Sequence, residues 1–543
     1  MIQLFGSLAL VLCATDPTPE APSHPLMSAI PADSIFVASC DDPAALRANL
    51  LSYQMVRLFD GGSGTPYVTA ITDLVLSDEN GEEALAGFEL AKRFGESFDG
   101  PVVVFASTEG FGFLTSSPSG GGSLRAALDQ ALTLMPAAEI KDQGAYQGFQ
   151  LRSIKPESRG RGTMIRAEAA GLTGVFMGEG DVLAAAQDSI RRYTAQVRSD
   201  LEVQLTNARL DAGSKGSRSA IDFMFDLSRA MRMTDDLDVS QVGLDQDSWV
   251  YGRMDIGGPT QAEGVIELRL PEGGVVSNFL DVLKPVSQED LNRIPSSALS
   301  FHAISVDLEL LLEKALEVGG PEAEEGLEQI RQASIGATGR DLIEDLYLGM
   351  TGSFATYEFE PPQDPVDIAS LVSGQGVFSI GVHDSEEMLE VFDDLVSVGG
   401  VDSMIDFQDY KDVEVWVFDV DGITPGIAFM DGQILFAMNH EDINKVIDHA
   451  KTAGSQSILE GTTGRQITEY GTGGFYISYQ DTALAAWKLL AQSDLAAEMT
   501  PELRFLANMP RLNLDDVKRE VSGATISSFL RTAKGLMFRA ESR

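Results

Sequence analysis

Histidine is the side chain best suited to proton transfer near neutral pH and to zinc binding. The chain has five: His24, His302, His383, His440 and His449. His440 and His449 are the closest pair, but their nine-residue spacing, at about 100° per residue, places them on opposite faces of a continuous helix. The spacing therefore predicts that these two side chains do not share a metal ion.

Two segments offer an acid beside a histidine. His383-Asp384 falls where a predicted strand turns into a helix, and Asp384 or Ser385 is suited to accept the first N–H groups of that helix. His440 precedes Glu441 at the start of another predicted helix, where an acidic side chain suits the positive end of the helix dipole. We predict structural roles for both segments, with a hydrolase-like site at either one as the alternative.

Motifs for nucleophilic and nucleotide chemistry are incomplete. A serine-hydrolase elbow requires G-x-S-x-G, and residues 61–65 fail at the last position, Thr65. Two G-x-G pairs, at Gly110 and Gly374, lack the third glycine of a dinucleotide-binding loop, and no G-K-[ST] sequence occurs. The sequence therefore predicts no catalytic residue, no cofactor-binding residue and no cofactor.

Acidic clusters are the candidate calcium ligands. One cluster precedes the strand at Trp249, and the other, Asp419-Val420-Asp421-Gly422, follows a strand. Neither has the spacing of a complete calcium loop, and a chain with 82 acidic residues contains such clusters by composition alone. We predict no metal site, and we interpret residues 419–422 as a turn between strands. The first cluster comprises Asp235, Asp236, Asp238, Asp245 and Asp247.

The chain has 543 residues and a formal net charge of −43. Such a charge excludes polyanionic partners such as nucleic acid, whose binding depends on basic surfaces. The hydrophobic content of 44% is typical of folded material rather than of an acidic disordered chain. The charge favours a soluble, broadly negative surface, and a site for cations or basic partners is the alternative interpretation.

The N-terminus resembles an export signal. Residues 2–14 form a 13-residue apolar run that is followed by a proline-rich segment. The run is too short for a membrane span of about 20 residues. Unlike the usual signal peptide, it has no Lys or Arg before it. The sequence predicts a signal peptide at 1–14, a Pro-rich linker at 15–27, no later transmembrane segment, and a periplasmic or secreted protein.

Cysteine usage agrees with this prediction. Cys13 lies in the apolar run, but the bulky Leu12 before it disfavours lipidation. Cys40 ends an apolar strand, and after processing it is left without a cysteine partner. We therefore predict that Cys40 is a small buried hydrophobic residue.

An internal repeat organises the chain. Residues 30–37 and 294–301 each lead through a strand into a helix, at an offset of 264 residues. The apolar strands that contain Phe105 and Tyr357 correspond at an offset of 252, and residues 146–151 match 410–415 at 264. These are three of five matching blocks that occur in the same order in both halves of the chain, and this preserved order predicts a tandem duplication.

The repeat sets the predicted domains and fold. The first repeat domain spans 28–271, a connector spans 272–293, and the second repeat domain spans 294–543. Alternating apolar and polar positions in the strands predict an α+β fold with mainly antiparallel sheets and helices packed on one face.

The turn, strand and helix at residues 30–37, with the closing strands of each repeat, resemble a broad family of uncharacterised exported bacterial proteins, some of them planctomycete, that share a domain of unknown function. The resemblance implies export and duplication and transfers no site residue. The sequence thus predicts an exported, acidic, non-catalytic protein for binding, scaffolding or envelope assembly, with an unidentified protein or envelope partner. The alternatives are a hydrolase-like enzyme with its site in the second repeat and a calcium-stabilised surface or adhesion module.

Overall fold

A computed structural model describes most of the chain and divides it into two compact units. The first unit extends to Gly274 and includes Ala540–Arg543, and the second is Val275–Arg539. The described residues are 26–66, 68–69, 89, 92–108, 110–133, 139–155, 162–197, 200–211, 220–232, 248–271, 274–360, 376–400, 402–420, 423–452, 454–488 and 513–543.

The strands of the first unit are joined by antiparallel pairing. They pair in the order β4-β5-β6-β7-β3-β2-β1-β8-β9-β10. Their bounds are β1 Ser34–Cys40, β2 Val102–Ser107, β3 Gly110–Ser116, β4 Glu139–Tyr146, β5 Phe149–Lys155, β6 Thr163–Ala169, β7 Leu172–Gly178, β8 Ile221–Asp226, β9 Trp249–Ile256 and β10 Ala262–Arg269.

Helices connect these strands. The sequence groups the apolar residues after Asp42 into one helix, whereas the structure divides them into two at Tyr53, whose backbone is extended (φ −65°, ψ 131°). The helices of this unit are α1 Pro43–Ser52, α2 Gln54–Phe59, α3 Gly122–Thr133, α4 Val182–Ala195, α5 Asp200–Asp211 and α6 Leu227–Met231, with a 3-10 turn at Met27–Ala29.

The second unit has an equivalent set of antiparallel strands. They pair in the order β14-β15-β16-β17-β13-β12-β11-β18-β19-β20. Their bounds are β11 Ser300–Ser305, β12 Met350–Glu358, β13 Gly376–Val382, β14 Ile405–Asp409, β15 Glu414–Phe418, β16 Gly426–Met430, β17 Gln433–Ala437, β18 Gly474–Asp481, β19 Ala524–Thr532 and β20 Gly535–Ser542.

The second unit contains a long, kinked helix. Gly320 interrupts α9 with a non-helical backbone (φ 60°, ψ −154°) immediately before Pro321, which cannot continue the preceding hydrogen bonds. The helices are α7 Val275–Phe279, α8 Gln288–Asn292, α9 Leu308–Thr338, α10 Ser385–Gly399, α11 His440–Lys451, α12 Gly461–Gly471 and α13 Leu514–Lys518, with a π-helix at Leu342–Tyr347, 3-10 turns at Leu280–Val282 and Asp402–Met404, and a further helical segment at 482–488.

The two units share their strand order and equivalent register positions. Val37 of β1 is paired with Phe105 of β2, and Phe301 of β11 is paired with Tyr357 of β12. These are the residues related by the offsets of 264 and 252. The prediction of an α+β fold with antiparallel sheets is confirmed.

Helices cover both faces of the strands in each unit, so the prediction of helices on one face is wrong. In the second unit Leu435 packs with residues of α11, whereas its neighbour Ile434 packs with residues of α10. In the first unit Phe176 packs with α4, and Val175 packs with α3. Adjacent strand residues point to opposite faces, so consecutive apolar residues require cover on both.

Two segments that the sequence suggests are half-buried strands contain tight turns. In residues 146–151 the turn residues Gln147 and Gly148 have φ of 48° and 88°, and in residues 410–415 Lys411 and Asp412 have φ of 54° and 61°. Two successive left-handed residues characterise the hairpin turn whose twist matches that of the flanking strands. The repeat block is therefore a hairpin in both units.

Both cores begin earlier in the chain than the proposed repeat boundaries. Leu26 and Met27, placed in the Pro-rich linker, are buried in the first core. The Ser189 hydroxyl of α4 fixes this segment by donating to the carbonyl of Ala29 at 2.6 Å. Leu291, placed in the connector, is buried in the second core.

Candidate functional site

An apolar groove of about 450 Å³ lies on the second unit, where five strands end on the face that also carries α10. It is formed by β12, β13, β15, β16 and β17, which are neighbours in the strand order. Its lining comprises Thr356, Tyr357, Glu358, Gly376, Val377, Phe378, Phe418, Pro425, Gly426, Ile427, Phe436, Ala437 and Met438.

Aromatic packing fixes the floor of the groove. Phe378 stacks on Phe354 with ring centres 6.5 Å apart, and its other neighbour is Phe436, at 6.3 Å. Phe436 in turn contacts Phe392 of α10, also at 6.3 Å. Phe378 remains 39% exposed and Met438 44% exposed, so part of this packed apolar surface faces solvent.

Glu358 provides the charge at the groove. Among the described lining residues it is the one acidic or basic side chain. Its carboxylate accepts a hydrogen bond from the Ser300 hydroxyl at 2.6 Å and pairs with the ammonium group of Lys488. Burial raises the pKa of Glu358, but the bonds from Lys488 and Ser300 outweigh burial and lower this pKa below its ordinary value. The carboxylate is therefore ionised at neutral pH.

His302 lies beside this groove and outside its lining. It is paired across the strands with Thr356, and its Nδ1 is 2.7 Å from the hydroxyl of Tyr476. Burial lowers the pKa of His302, and the nearby Glu358 offsets this effect only in part. A neutral imidazole packed against Tyr476 is thus the form present near pH 7.

The acid–histidine segment at His383 is a helix start. Asp384 caps α10 by accepting from the N–H groups of Glu386 and Glu387 at 2.9 and 3.2 Å. This confirms the predicted capping role. His383 is exposed to solvent and does not line the groove.

His440 and His449 lie on one continuous helix, α11. Asn439 is its cap and accepts from the N–H of Glu441 at 3.1 Å. His440 packs over Gly426, where an added Cβ would be 2.8 Å from the His440 Cβ. Burial lowers the pKa of His449. These contacts support structural roles, and neither histidine lines the groove.

The other candidate segments divide between described and undescribed residues. His24, Gly374 and the cluster Asp235–Asp247 lie outside the described residues. Gly110 and Gly112 lie within β3, where packing requires glycine, because a Cβ on Gly110 would be 2.1 Å from the Met177 carbonyl. The glycines around Ser63 follow α2 in a turn.

The segment at Asp419 joins β15 to β16. Val420 and Ile423 exchange two backbone hydrogen bonds of 3.1 and 3.0 Å, whereas Asp421 and Gly422, the centre of the predicted turn, lie outside the described residues. Over the described parts of the chain, no group of three or more His, Cys, Asp or Glu residues is placed to hold a metal ion.

In the first unit a buried cation occupies the sheet position that corresponds to the groove. Arg166 is paired with Val175 as Ile427 is paired with Phe436. Arg166 is 4% exposed and donates to Asp129 at 2.5 Å and to Glu168 at 2.6 and 2.9 Å. Burial by itself would lower the pKa of Arg166, but the carboxylates of Asp129 and Glu168 raise this pKa above its ordinary value.

Cys40 is a free, buried thiol at the end of β1, as predicted. Burial raises its pKa from 9.0 to about 12. We expect iodoacetamide to modify it at pH 8 far more slowly in the folded protein than in denaturant, because the thiolate is the nucleophile. The measurement uses a Cys13→Ser variant, which leaves Cys40 as the one thiol in the chain.

The same shift predicts a loss of stability at high pH. The contribution of Cys40 is complete below the unfolded pKa near 9 and is lost as the pH rises toward about 12, because the unfolded thiol ionises first. Cys40→Ala is the control and should lack this part of the pH dependence. Equal modification rates for the folded and denatured chains would contradict the predicted burial.

The comparisons with known proteins identify no relative: no family model, curated protein or solved structure matches the chain. Among the described helices, none combines the length and the apolar character needed to cross a membrane.

The groove is not predicted by the sequence. A signal for it is present in β13. Val377 points to the buried face, so the next residue, Phe378, places a large aromatic side chain on the opposite, more exposed face. Only the pairing of β13 with β12 and β17 brings Phe378 beside Phe354 and Phe436.

Proposed function

We propose that the protein is an exported, non-catalytic binding protein whose second unit holds the apolar part of a small amphipathic molecule in the groove. The observation that carries this proposal is an apolar groove of about 450 Å³ in which Glu358 is the one acidic or basic side chain among the described lining residues. Small-molecule sites have this size and this combination of apolar lining with few polar groups.

The histidines support binding rather than catalysis. His383 is exposed beside a capping aspartate, and His440 packs on Gly426 at the start of α11. At the groove, the ion-pair partner of Glu358 is Lys488 and not a histidine. Hydrogen bonding and packing account for these side chains without a reaction.

We also infer that the two units arose by duplication and that the chain is exported. The shared strand order and the equivalent pairs Val37–Phe105 and Phe301–Tyr357 support duplication. The apolar run at residues 2–14 supports export. N-terminal sequencing of the native protein tests export, and an unprocessed chain confined to the cytoplasm would contradict it.

Binding of Nile red, a neutral apolar dye whose emission rises in apolar surroundings, tests the groove. We expect Phe378→Ser to weaken binding by about fivefold to tenfold, because the substitution removes the aromatic floor. The measurement is a fluorescence titration of the full chain.

Phe111→Ser is the matched control. Phe111 is also 39% exposed, and it lies on β3 of the first unit. This variant should bind the dye as the unaltered protein does, and circular dichroism should show both variants folded. Equal losses in the two variants would overturn the assignment of the dye to the groove.

A further inference from the structure

We propose that the groove selects cationic amphiphiles, in which an alkyl chain lies on the apolar floor and an ammonium group binds the carboxylate of Glu358. This inference rests on the proposed function and specifies the charge of its ligand. It follows from the contacts of Glu358, from the charge of the chain segments around the groove, and from the exposure of the Glu358–Lys488 pair.

The contacts of Glu358 already show an ammonium ion at the edge of the groove. Lys488 places its Nζ on the Glu358 carboxylate, and Ser300 donates a hydroxyl to the same oxygen at 2.6 Å. The carboxylate therefore accepts donors from this direction. An alkylammonium group presents the same three donors as the lysine side chain.

The surrounding charge favours a cation over an anion. Residues 351–450, which supply all of the described lining, contain 21 acidic residues, two Lys and no Arg, although Glu358, Glu360 and Glu390 are paired with cations from elsewhere in the chain. The whole chain carries a net charge of −43. A field of one sign raises the local concentration of ligands of the opposite sign and repels carboxylates.

The Glu358–Lys488 pair can exchange its cation. The two side chains are 32% and 34% exposed, so water reaches both partners. Solvent-exposed ion pairs are weak, and a ligand ammonium can replace Lys488 while the lysine turns to solvent. An anionic ligand in the groove would approach the carboxylate of Glu358, which is the one acidic or basic side chain among the described lining residues.

Three probes with the same alkyl chain separate charge from apolar binding: octylammonium, octanol and octanoate. Displacement of Nile red from the full chain at low salt gives their relative affinities. We expect octylammonium to bind about tenfold more tightly than octanoate, with octanol between them, and we expect added salt to reduce the difference.

Glu358→Gln should remove the preference for octylammonium while leaving octanol binding within about twofold. Glu360→Gln is the matched control, because Glu360 also pairs with a lysine, Lys518, but does not line the groove. Lys488→Met, which removes the competing cation, should strengthen octylammonium binding by about threefold.

The outcomes distinguish the two proposals. If none of the three probes displaces the dye, the proposed binding function fails. If all three bind but octanoate binds as tightly as octylammonium, or if Glu358→Gln and Glu360→Gln have equal effects, the function stands and the inference about ligand charge is overturned.

Discussion

Replacement of Phe301 by alanine should lower the free energy of unfolding by about 3–5 kcal/mol, the usual cost of deleting a fully buried phenylalanine. Phe301 is 0% exposed in the second core, on the strand β11 that pairs with both β12 and β18. Its ring lies 6.1 Å from that of Tyr479. Chemical denaturation followed by circular dichroism measures the loss.

His302→Ala is the control at the adjacent position. His302 points to the opposite face of the same strand and is exposed, so its removal costs mainly the hydrogen bond to Tyr476, about 1 kcal/mol. A similar loss for the two variants would contradict the register that buries Phe301 and exposes His302.

Arg166→Ala should destabilise the first unit by about 3 kcal/mol. Removing one partner of a buried ion pair leaves a charge without compensation, at a typical cost of about 3–5 kcal/mol. The lower end applies because Asp129 is 64% exposed and is solvated without Arg166, and because Glu168, which is 19% exposed, keeps Arg125 at 3.5 Å as a second cation. The measurement is again the free energy of unfolding by denaturant.

Arg191→Ala provides a comparison at an exposed ion pair. Arg191 bonds to Asp188 with 59% of its side chain exposed, so its removal should cost much less than the removal of Arg166. The double variant Arg166→Ala with Glu168→Gln should recover part of the loss, because it removes a carboxylate whose remaining cation is Arg125, at 3.5 Å. If Arg166→Ala costs no more than Arg191→Ala, Arg166 is not held as the structure shows.

Local sequence signals predicted the elements whose cause is local. The cap at Asp384 depends on a few neighbouring residues, and the burial of Cys40 was predicted from its place at the end of an apolar strand. The corresponding pairs Val37–Phe105 and Phe301–Tyr357 agree with the repeat offsets, because apolar positions that alternate along a strand must occupy the same face.

The sequence missed features that depend on a sum of distant contacts. Apolar neighbours such as Ile434 and Leu435 do not reveal by themselves that helices cover both faces. The hairpin turn at Lys411-Asp412 was hidden because neither residue is glycine, although both adopt the left-handed conformation.

The amino-acid sequence alone determined an acidic α+β chain with antiparallel strands and capped helices, because composition, alternation and capping are local properties. Tertiary structure alone decided where a ligand can bind. Phe378, Phe436 and Glu358 come from three strands, and only strand register and the packing of α10 bring them to one groove. At the corresponding position of the first unit, the buried Arg166 instead pairs with Asp129 and Glu168.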